Sequence, residues 1–106
     1  MISTHVLDIS RGAPAAGVDV TLERVDATSE TVGRGRTDAN GRIADLGTPG
    51  EGVYRLRFDT GAYFAASNRD TLYPEVAVTF KVTNADPKFH LPLLLGPFGY
   101  TTYRGS

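Results

Sequence analysis

The chain has 106 residues, a formal net charge of −1, 41% hydrophobic residues and 22% charged residues, so we expect a single domain over residues 1–106. It has no basic block of the kind that binds nucleic acid and no apolar run long enough to cross a membrane. It has no cysteine, which excludes disulfides, a thiol nucleophile and a Cys-based zinc site. The start of the sequence lacks a secretory signal pattern, and we therefore expect a cytoplasmic location.

The dominant hydrophobic period along the chain is two residues. Apolar and polar side chains alternate over 18–26, 53–59 and 75–83, which is typical of strands that bury one face. Turn signals separate such segments at Gly12-Ala13-Pro14, Asp38-Ala39-Asn40-Gly41, Gly47-Thr48-Pro49-Gly50 and Asn84-Ala85-Asp86-Pro87. We predict strands near 3–9, 18–26, 32–37, 42–46, 53–59, 75–83, 88–95 and 99–104. The pattern predicts an all-β fold, a two-sheet antiparallel β-sandwich of about eight strands.

Two segments depart from simple alternation. Residues 60–67 begin with Thr60 as a candidate N-cap and contain several alanines, which predicts one or two helical turns. Pro92 interrupts the predicted strand 88–95. Because proline cannot donate to a ladder, we expect this strand to lie at an edge or to be locally irregular. An apolar edge strand needs cover, which a second copy of the chain would supply.

The only two histidines of the chain, His5 and His90, are the candidate proton-transfer groups. Each lies in a predicted strand, and each could instead be a strand histidine with a satisfied hydrogen bond. Arg42 follows the Asn40-Gly41 turn. Its planar guanidinium could bind a carboxylate or an electron-rich heterocycle, or it could be a solvated turn residue.

The C-terminal segment alternates aromatic residues with threonines from Phe98 onward, although chain ends are usually polar and frayed. Its last four residues, Tyr103-Arg104-Gly105-Ser106, could place a hydroxyl and a carboxylate at a site, or could form a loose strand tip. The sequence contains neither a glycine-rich phosphate loop nor a Gly-x-Ser-x-Gly elbow. Residue chemistry alone therefore indicates a small sandwich with two candidate bases, one candidate arginine and a structured tail, without a substrate.

Several motifs, in order along essentially the whole chain, carry a resemblance to a known family. They are Ser3-Thr4-His5-Val6-Leu7-Asp8, Pro14-Ala15-Ala16-Gly17-Val18, Thr37-Asp38-Ala39-Asn40-Gly41-Arg42, Tyr73-Pro74-Glu75-Val76, His90-Leu91-Pro92-Leu93-Leu94-Leu95, Pro97-Phe98-Gly99-Tyr100 and Tyr103-Arg104-Gly105-Ser106. The chain resembles the transthyretin-like family, and specifically its 5-hydroxyisourate hydrolase branch. Hydrolases of that branch end in the last of these motifs, whereas the hormone-carrying transthyretins do not. Phe89 and Gly96 stand where tyrosine and serine are frequent in the family.

The resemblance implies a fold, an assembly and an activity. It implies an eight-stranded sandwich with one short helix, assembled as a homotetramer, a dimer of dimers with active sites in a central channel. It implies hydrolysis of 5-hydroxyisourate to 2-oxo-4-hydroxy-4-carboxy-5-ureidoimidazoline without a metal or organic cofactor. The implied catalytic residues are His5, Arg42 and His90, and the implied substrate-binding residues are Tyr103, Arg104, Gly105 and Ser106. The alternatives are a non-enzymatic small-ligand carrier that uses the same channel and a monomeric adhesion or accessory domain.

Overall fold

A computed structural model of the protein describes residues 1–26, 28–83 and 88–106. Within these residues the chain forms nine strands and one helix. In chain order they are β1 (Ile2–Asp8), β2 (Ala13–Pro14), β3 (Asp19–Arg24), β4 (Glu30–Arg36), β5 (Arg42–Ile43), β6 (Gly52–Phe58), α1 (Thr60–Ala66), β7 (Val76–Val82), β8 (Phe89–Gly96) and β9 (Gly99–Thr102). The predicted turn at Asn84-Ala85-Asp86-Pro87 lies outside the described residues. No helix of the described part of the chain has the length and apolar character needed to span a membrane.

The strands form two sheets. In the first sheet, β2, β1, β8 and β9 lie side by side, and β5 also pairs with β1. The second sheet has the order β4, β3, β6, β7. Every pair is antiparallel except β1 and β8, which run parallel along their length. The predicted two-sheet sandwich with one short helix is confirmed, and the parallel pair is a feature that the alternating pattern did not predict.

The core lies between the two sheets and follows the predicted alternation. Every second residue of β1 is buried, beginning with Ile2. On β6, Tyr54, Leu56 and Phe58 are at most 1% exposed. Full burial of an apolar side chain of this size contributes about 1.5–3 kcal/mol. The side chains that alternate with these buried residues therefore face outward, and on the first sheet they form the surface that carries the candidate site.

The helix α1 confirms the prediction for residues 60–67, but its N-cap is one residue earlier than expected. The Asp59 side chain accepts a hydrogen bond from the backbone N–H of Ala62 at 3.2 Å. Thr60 is fully buried, and its hydroxyl donates to the carbonyl oxygen of Tyr73 at 3.2 Å. Thr60 is therefore not the cap, because its hydroxyl is directed away from the helix into a tertiary contact, and the preceding carboxylate binds the free N–H.

The prediction of an edge position for Pro92 is wrong, while the predicted irregularity is confirmed. Strand β8 lies inside the first sheet between β1 and β9. Its regular ladder with β9 stops at the pair Leu93–Thr102 and continues only as a single bridge between His90 and Gly105. The hydrogen-bonded ladder between β8 and β9 is interrupted at Pro92 because proline has no N–H to donate. The Thr102 hydroxyl compensates in part by donating to the Pro92 carbonyl at 2.8 Å.

Several strand boundaries also differ from the prediction. Strand β5 ends at Ile43 rather than at residue 46, because the chain turns where the Asp45 side chain accepts from the backbone N–H of Gly47 at 2.9 Å. Strand β9 ends at Thr102 rather than at residue 104. The short strand β2 forms at Ala13–Pro14, where only a turn was expected, by pairing with the end of β1. Such short pairings depend on tertiary neighbours and leave little trace in the pattern.

Candidate active site on the outer face of the first sheet

The outer face of the first sheet brings together the polar side chains of β1 and β8. Ser3 and His5 alternate with buried residues of β1, and His90 stands between the buried Phe89 and Leu91 on β8. The parallel register places Ser3 beside His90. Because side chains of paired residues project to the same face of a sheet, both histidines emerge on one surface.

A tight turn places Arg42 next to His5. The Asp38 carboxylate accepts hydrogen bonds from the backbone N–H groups of Asn40 at 2.8 Å and Arg42 at 3.0 Å. These bonds, led by the one from Arg42, hold the pKa of Asp38 below its usual value. Gly41 completes the turn with a φ of +75°, a conformation that glycine adopts without strain. The next residue, Arg42, then pairs with His5 of β1.

The C-terminal tail returns along β8 and reaches His90. The backbone N–H of Gly105 donates to the carbonyl oxygen of His90 at 2.7 Å. A Cβ atom on Gly105 would lie 2.7 Å from Cδ2 of the His90 ring and 3.3 Å from Cγ of Pro92. The tail therefore approaches the imidazole so closely that a side chain at this position would force the His90 ring or the tail to shift.

Arg104 fastens the tail to the beginning of β8. Its guanidinium carbon lies 4.1 Å from the centre of the Phe89 ring, within the range of a cation–π contact. The same guanidinium donates to the carbonyl oxygen of Lys88 at 3.1 Å. Arg104 thus makes contacts that hold the tail in place next to the site.

These elements enclose an open cleft of about 420 Å³. Its lining consists of Met1, Ser3, Arg42, Lys88, His90, Arg104, Gly105 and Ser106. The guanidinium groups of Arg42 and Arg104 and the ammonium group of Lys88 therefore belong to residues of one cleft. Cationic groups of this kind favour a planar anion or a group that becomes negative during a reaction.

The structure places most of the predicted site residues in this cleft. Arg42, His90, Arg104, Gly105 and Ser106 are among its lining residues. Two members of the predicted set are not. His5 lies beside the cleft as the strand neighbour of Arg42. Tyr103 belongs to the same tail, but its side chain is 52% exposed.

The hydrogen bonds of the two imidazoles differ. His5 Nε2 lies 2.9 Å from the carbonyl oxygen of Asn40, and because a carbonyl can only accept, Nε2 carries the proton in this contact. His90 Nδ1 lies 2.9 Å from the Ser3 hydroxyl oxygen, a group that can donate or accept. Neutral His5 therefore keeps Nδ1 as its accepting nitrogen, whereas the tautomer of His90 depends on Ser3.

The pKa of His90 is lower than the usual value for histidine. Burial of the half-exposed ring is the largest cause, followed by the positive charges of Arg42 and His5. Each of these effects disfavours the imidazolium form. His90 is therefore mainly neutral at pH 7 and able to accept a proton.

Three residues of the cleft were not singled out from the sequence. Ser3 could have been found, because it precedes His5 by two residues in a strand and so shares its face. Met1 and Lys88 could not have been found, because they come together only through the parallel pairing of two strands that begin 87 residues apart. At the start of this pairing, the Phe89 N–H donates to the Met1 carbonyl at 2.9 Å. Among residues 1–26, 28–83 and 88–106, no group of three or more His, Cys, Asp or Glu side chains could hold a metal ion.

Comparisons with known proteins agree with the fold. The family model described as "HIUase/Transthyretin family" matches residues 2–105. A Salmonella dublin protein named 5-hydroxyisourate hydrolase is 42% identical over 112 residues, which cover 100% of this chain and 81% of that relative. The solved structure of Klebsiella pneumoniae 5-hydroxyisourate hydrolase has a TM-score of 0.89 and 42% identity, covering 99% of this chain and 92% of that one. Sea bream transthyretin, solved with thyroxine, has a TM-score of 0.91 and 32% identity, covering 98% of this chain and 93% of that one.

Proposed function

The chain belongs to the HIUase/Transthyretin family, and on this premise we propose that it hydrolyses 5-hydroxyisourate to 2-oxo-4-hydroxy-4-carboxy-5-ureidoimidazoline in urate degradation. The observation that carries the proposal is the convergence of His90, Arg42 and the Arg104-Gly105-Ser106 tail on one cleft. Relatives named 5-hydroxyisourate hydrolase match the chain over its full length. A base, a cation and a closing tail are the parts that opening a cyclic amide with water requires.

The proposed reaction adds water across one carbon–nitrogen bond of the six-membered ring. The water oxygen bonds to the ring carbonyl carbon while one water proton passes to a histidine. The carbonyl oxygen becomes negative in the tetrahedral intermediate. The carbon–nitrogen bond then breaks, and the nitrogen takes the proton that the histidine accepted from water. The carbonyl carbon stays on the product as a carboxylic acid, which ionises to a carboxylate by releasing its proton to solvent, so that one water molecule is consumed.

We assign the proton transfer to the two histidines. His90 lines the cleft, and its lowered pKa keeps it neutral at pH 7, so it is the better placed base for the water. A positioned base contributes about 10²–10⁴-fold to a rate. His5 lies on the same face beside Arg42 and would relay the proton to the leaving nitrogen.

The remaining residues of the site would bind and orient the substrate. Arg42 would hold the heterocycle and stabilise the developing oxygen charge, because a fixed cation costs no reorganisation as charge appears. Arg104 and Gly105 hold the tail against β8. Tyr103 and Ser106 would then close the site around the substrate. None of these roles requires a metal or organic cofactor, and activity should survive dialysis against a chelator.

We propose a homotetramer, a dimer of dimers, as the active assembly. Strand β9 is the outermost strand of the first sheet on its side, and an uncovered edge is a site for pairing with another chain. Large apolar side chains are exposed near this edge, including Phe98 at 68% and Tyr100 at 39%. Light scattering coupled to gel filtration would show a mass four times that of the chain.

A cytoplasmic location also belongs to the proposal, since a chain without cysteine needs no oxidising compartment.

The main alternative is a non-enzymatic carrier, which the fold match to sea bream transthyretin with thyroxine favours. The charges of the cleft oppose it. Arg42, Lys88 and Arg104 line the same space, and an apolar ligand would bury charged groups without compensating them. A monomeric adhesion or accessory domain would need neither the assembly nor the ordered tail.

The decisive experiment adds the purified protein to urate while urate oxidase generates 5-hydroxyisourate in the cuvette. Faster decay of the intermediate than in a control without the protein supports the hydrolase. Deletion of Tyr103–Ser106 should abolish that acceleration, and Arg42→Gln should weaken it strongly. Arg34→Gln is the matched control, because Arg34 is an exposed arginine of β4 in the other sheet. Decay at the spontaneous rate from a folded protein would support the carrier.

A further inference from the structure

We infer that Ser3 is a positioning residue for His90: its hydroxyl accepts a hydrogen bond from Nδ1–H and leaves the lone pair of Nε2 for the cleft. The inference rests on the proposed function, because it says how the histidine assigned as the base is prepared for that role. It also assigns a chemical part to a residue of the cleft that the mechanism above does not use.

The contact between Ser3 and His90 is built into the sheet. The two residues are register partners in the parallel pairing of β1 with β8. Their side chains project to the same outer face, and Ser3 Oγ lies 2.9 Å from His90 Nδ1. Both residues are partly buried. Two adjacent strands therefore fix both ends of this hydrogen bond, which limits rotation of the imidazole.

The tail restricts the opposite edge of the same ring. Gly105 approaches so closely that a Cβ atom there would lie 2.7 Å from His90 Cδ2. Nδ1 is thus engaged by Ser3, and the Cδ2 edge faces Gly105. Nε2 is the ring nitrogen that remains for proton exchange with a ligand in the cleft.

The tautomer follows from what a base requires. A neutral imidazole accepts a proton only at the nitrogen that carries none, so base catalysis through Nε2 requires the proton on Nδ1. Ser3 Oγ can accept that N–H, and the hydrogen bond made by one ring nitrogen sets the state of the other. The charge of Arg42, and that of His5 when its ring is protonated, favour the neutral form of the His90 ring.

A neighbouring hydroxyl shows what a purely structural role looks like. Thr4, the next residue of β1, points to the opposite face and is 1% exposed. Its hydroxyl donates to the carbonyl oxygen of Leu91 at 2.6 Å, which ties β1 to β8 inside the core. Ser3 differs because its partner is a titratable ring at the cleft and not a backbone carbonyl.

The test combines nitrogen NMR of the imidazoles with steady-state kinetics of the whole chain. The variants are Ser3→Ala, Ser3→Val and Ser3→Thr. Val and Thr are matched in shape, and only Thr retains the hydroxyl. Ser29→Ala is the control, since Ser29 is exposed and lies just before β4. His90→Asn assigns the signals of the ring.

In the wild type we expect a protonated Nδ1 and an unprotonated Nε2 on His90 at pH 7. In Ser3→Ala and Ser3→Val this tautomer should lose its dominance, and kcat should fall about 10-fold with little change in KM, because the loss concerns the orientation of a base. Ser3→Thr should restore the tautomer and most of kcat, and Ser29→Ala should resemble the wild type.

Three results would overturn the inference. The first is a wild-type His90 with its proton on Nε2. The second is a tautomer that does not change in Ser3→Val. The third is a rise in KM at constant kcat, which would make Ser3 a substrate contact. Failure of the proposed function is a separate outcome: a wild type without hydrolase activity would refute that function, while the NMR result would still decide whether Ser3 orients His90.

Discussion

The two ends of strand β1 hold polar groups in opposite ways. At the C-terminal end of β1, Asp8 points into the sandwich and is fully buried. Its carboxylate accepts hydrogen bonds from Arg69 at 2.8 Å, Tyr63 at 2.7 Å and Ser10 at 2.6 Å. Near its beginning, Ser3 and the neighbouring His90 face an open cleft. One end is thus closed and fully hydrogen-bonded, and the other is open to a ligand.

The two ends also favour opposite charge states of their titratable groups. Burial alone would raise the pKa of Asp8, but hydrogen bonds from Arg69, Ser10 and Tyr63 and the charge of Arg69 hold it well below its usual range. Burial lowers the pKa of His90, and the nearby cations lower it further. Asp8 is therefore a permanent charge with fixed partners, whereas His90 is a neutral base that can gain a proton. Polar groups that stabilise the fold are saturated, and those available for chemistry are not.

The largest expected effect is loss of activity at the open end. His90→Asn and His5→Asn should each reduce the enzyme-catalysed rate of 5-hydroxyisourate hydrolysis by about 10²–10⁴-fold, because each removes a proton-transfer group. The free energy of unfolding, measured by chemical denaturation, should change little. Near-normal rates in both variants would contradict the proposed mechanism.

The next effect is loss of stability at the closed end. Asp8→Asn should lower the free energy of unfolding by about 3–5 kcal/mol at pH 7, because Arg69 would lose its buried ionic partner. Asp19→Asn is the control, since Asp19 pairs with Arg36 at 3.3 Å on an exposed face and such pairs are worth about 1 kcal/mol or less.

The pH dependence of stability sharpens the same prediction. The folded-state pKa of Asp8 is lowered, so its contribution is fully present above the unfolded value of about 3.9 and is lost as the pH falls below it. The difference in the free energy of unfolding between the wild type and Asp8→Asn should therefore become smaller in denaturation experiments at acid pH. A constant difference would show that the carboxylate charge is not the cause.

A smaller effect on activity is expected from the tail glycine. Gly105→Ala would place a methyl group against the His90 ring, and the displaced base should lower kcat about 10-fold. Gly50→Ala is the matched control, since Gly50 lies in the loop before β6 and a Cβ atom there meets no atom within 4 Å. Equal activity of both variants would show that close approach of the tail does not matter.

The smallest effect is a change in the titration of His90. Arg42→Gln removes a positive charge that lowers the pKa of the ring, so this pKa should rise in an NMR titration. The same experiment on Arg34→Gln should show no change. In the wild type, kcat/KM should rise with pH through a pKa below about 6.5, because the base must be neutral. A lower pKa of His90 in the Arg42→Gln variant than in the wild type would contradict the electrostatic explanation.

Much of the fold could be predicted from the chain because alternation reports which residues are buried. The burial of Tyr54, Leu56 and Phe58 follows directly from their spacing. Position within a sheet could not be predicted in this way. Pro92 was expected at an edge or in an irregular strand, and it lies between two strands of the first sheet, where its missing N–H interrupts the ladder with β9. The N-cap Asp59 was missed because the tertiary contact that engages Thr60 is not visible in local sequence.

The candidate site was predicted unevenly for the same reason. His90, Arg42 and the tail were named from residue chemistry together with the family resemblance, and the structure brings most of them to one cleft. The catalytic roles of these residues stay predictions. Ser3 carried a readable signal in its spacing from His5, whereas Met1 and Lys88 carried none.

The sequence by itself determined the period of the strands, the identity of the chemical groups and the order of the family motifs. Only the tertiary structure decided which groups meet. The parallel pairing of β1 with β8 joins Ser3 to His90, and the returning tail places Gly105 against the same ring. Local periodicity specifies the face on which a side chain lies, but pairing between distant strands depends on how all the buried faces pack together.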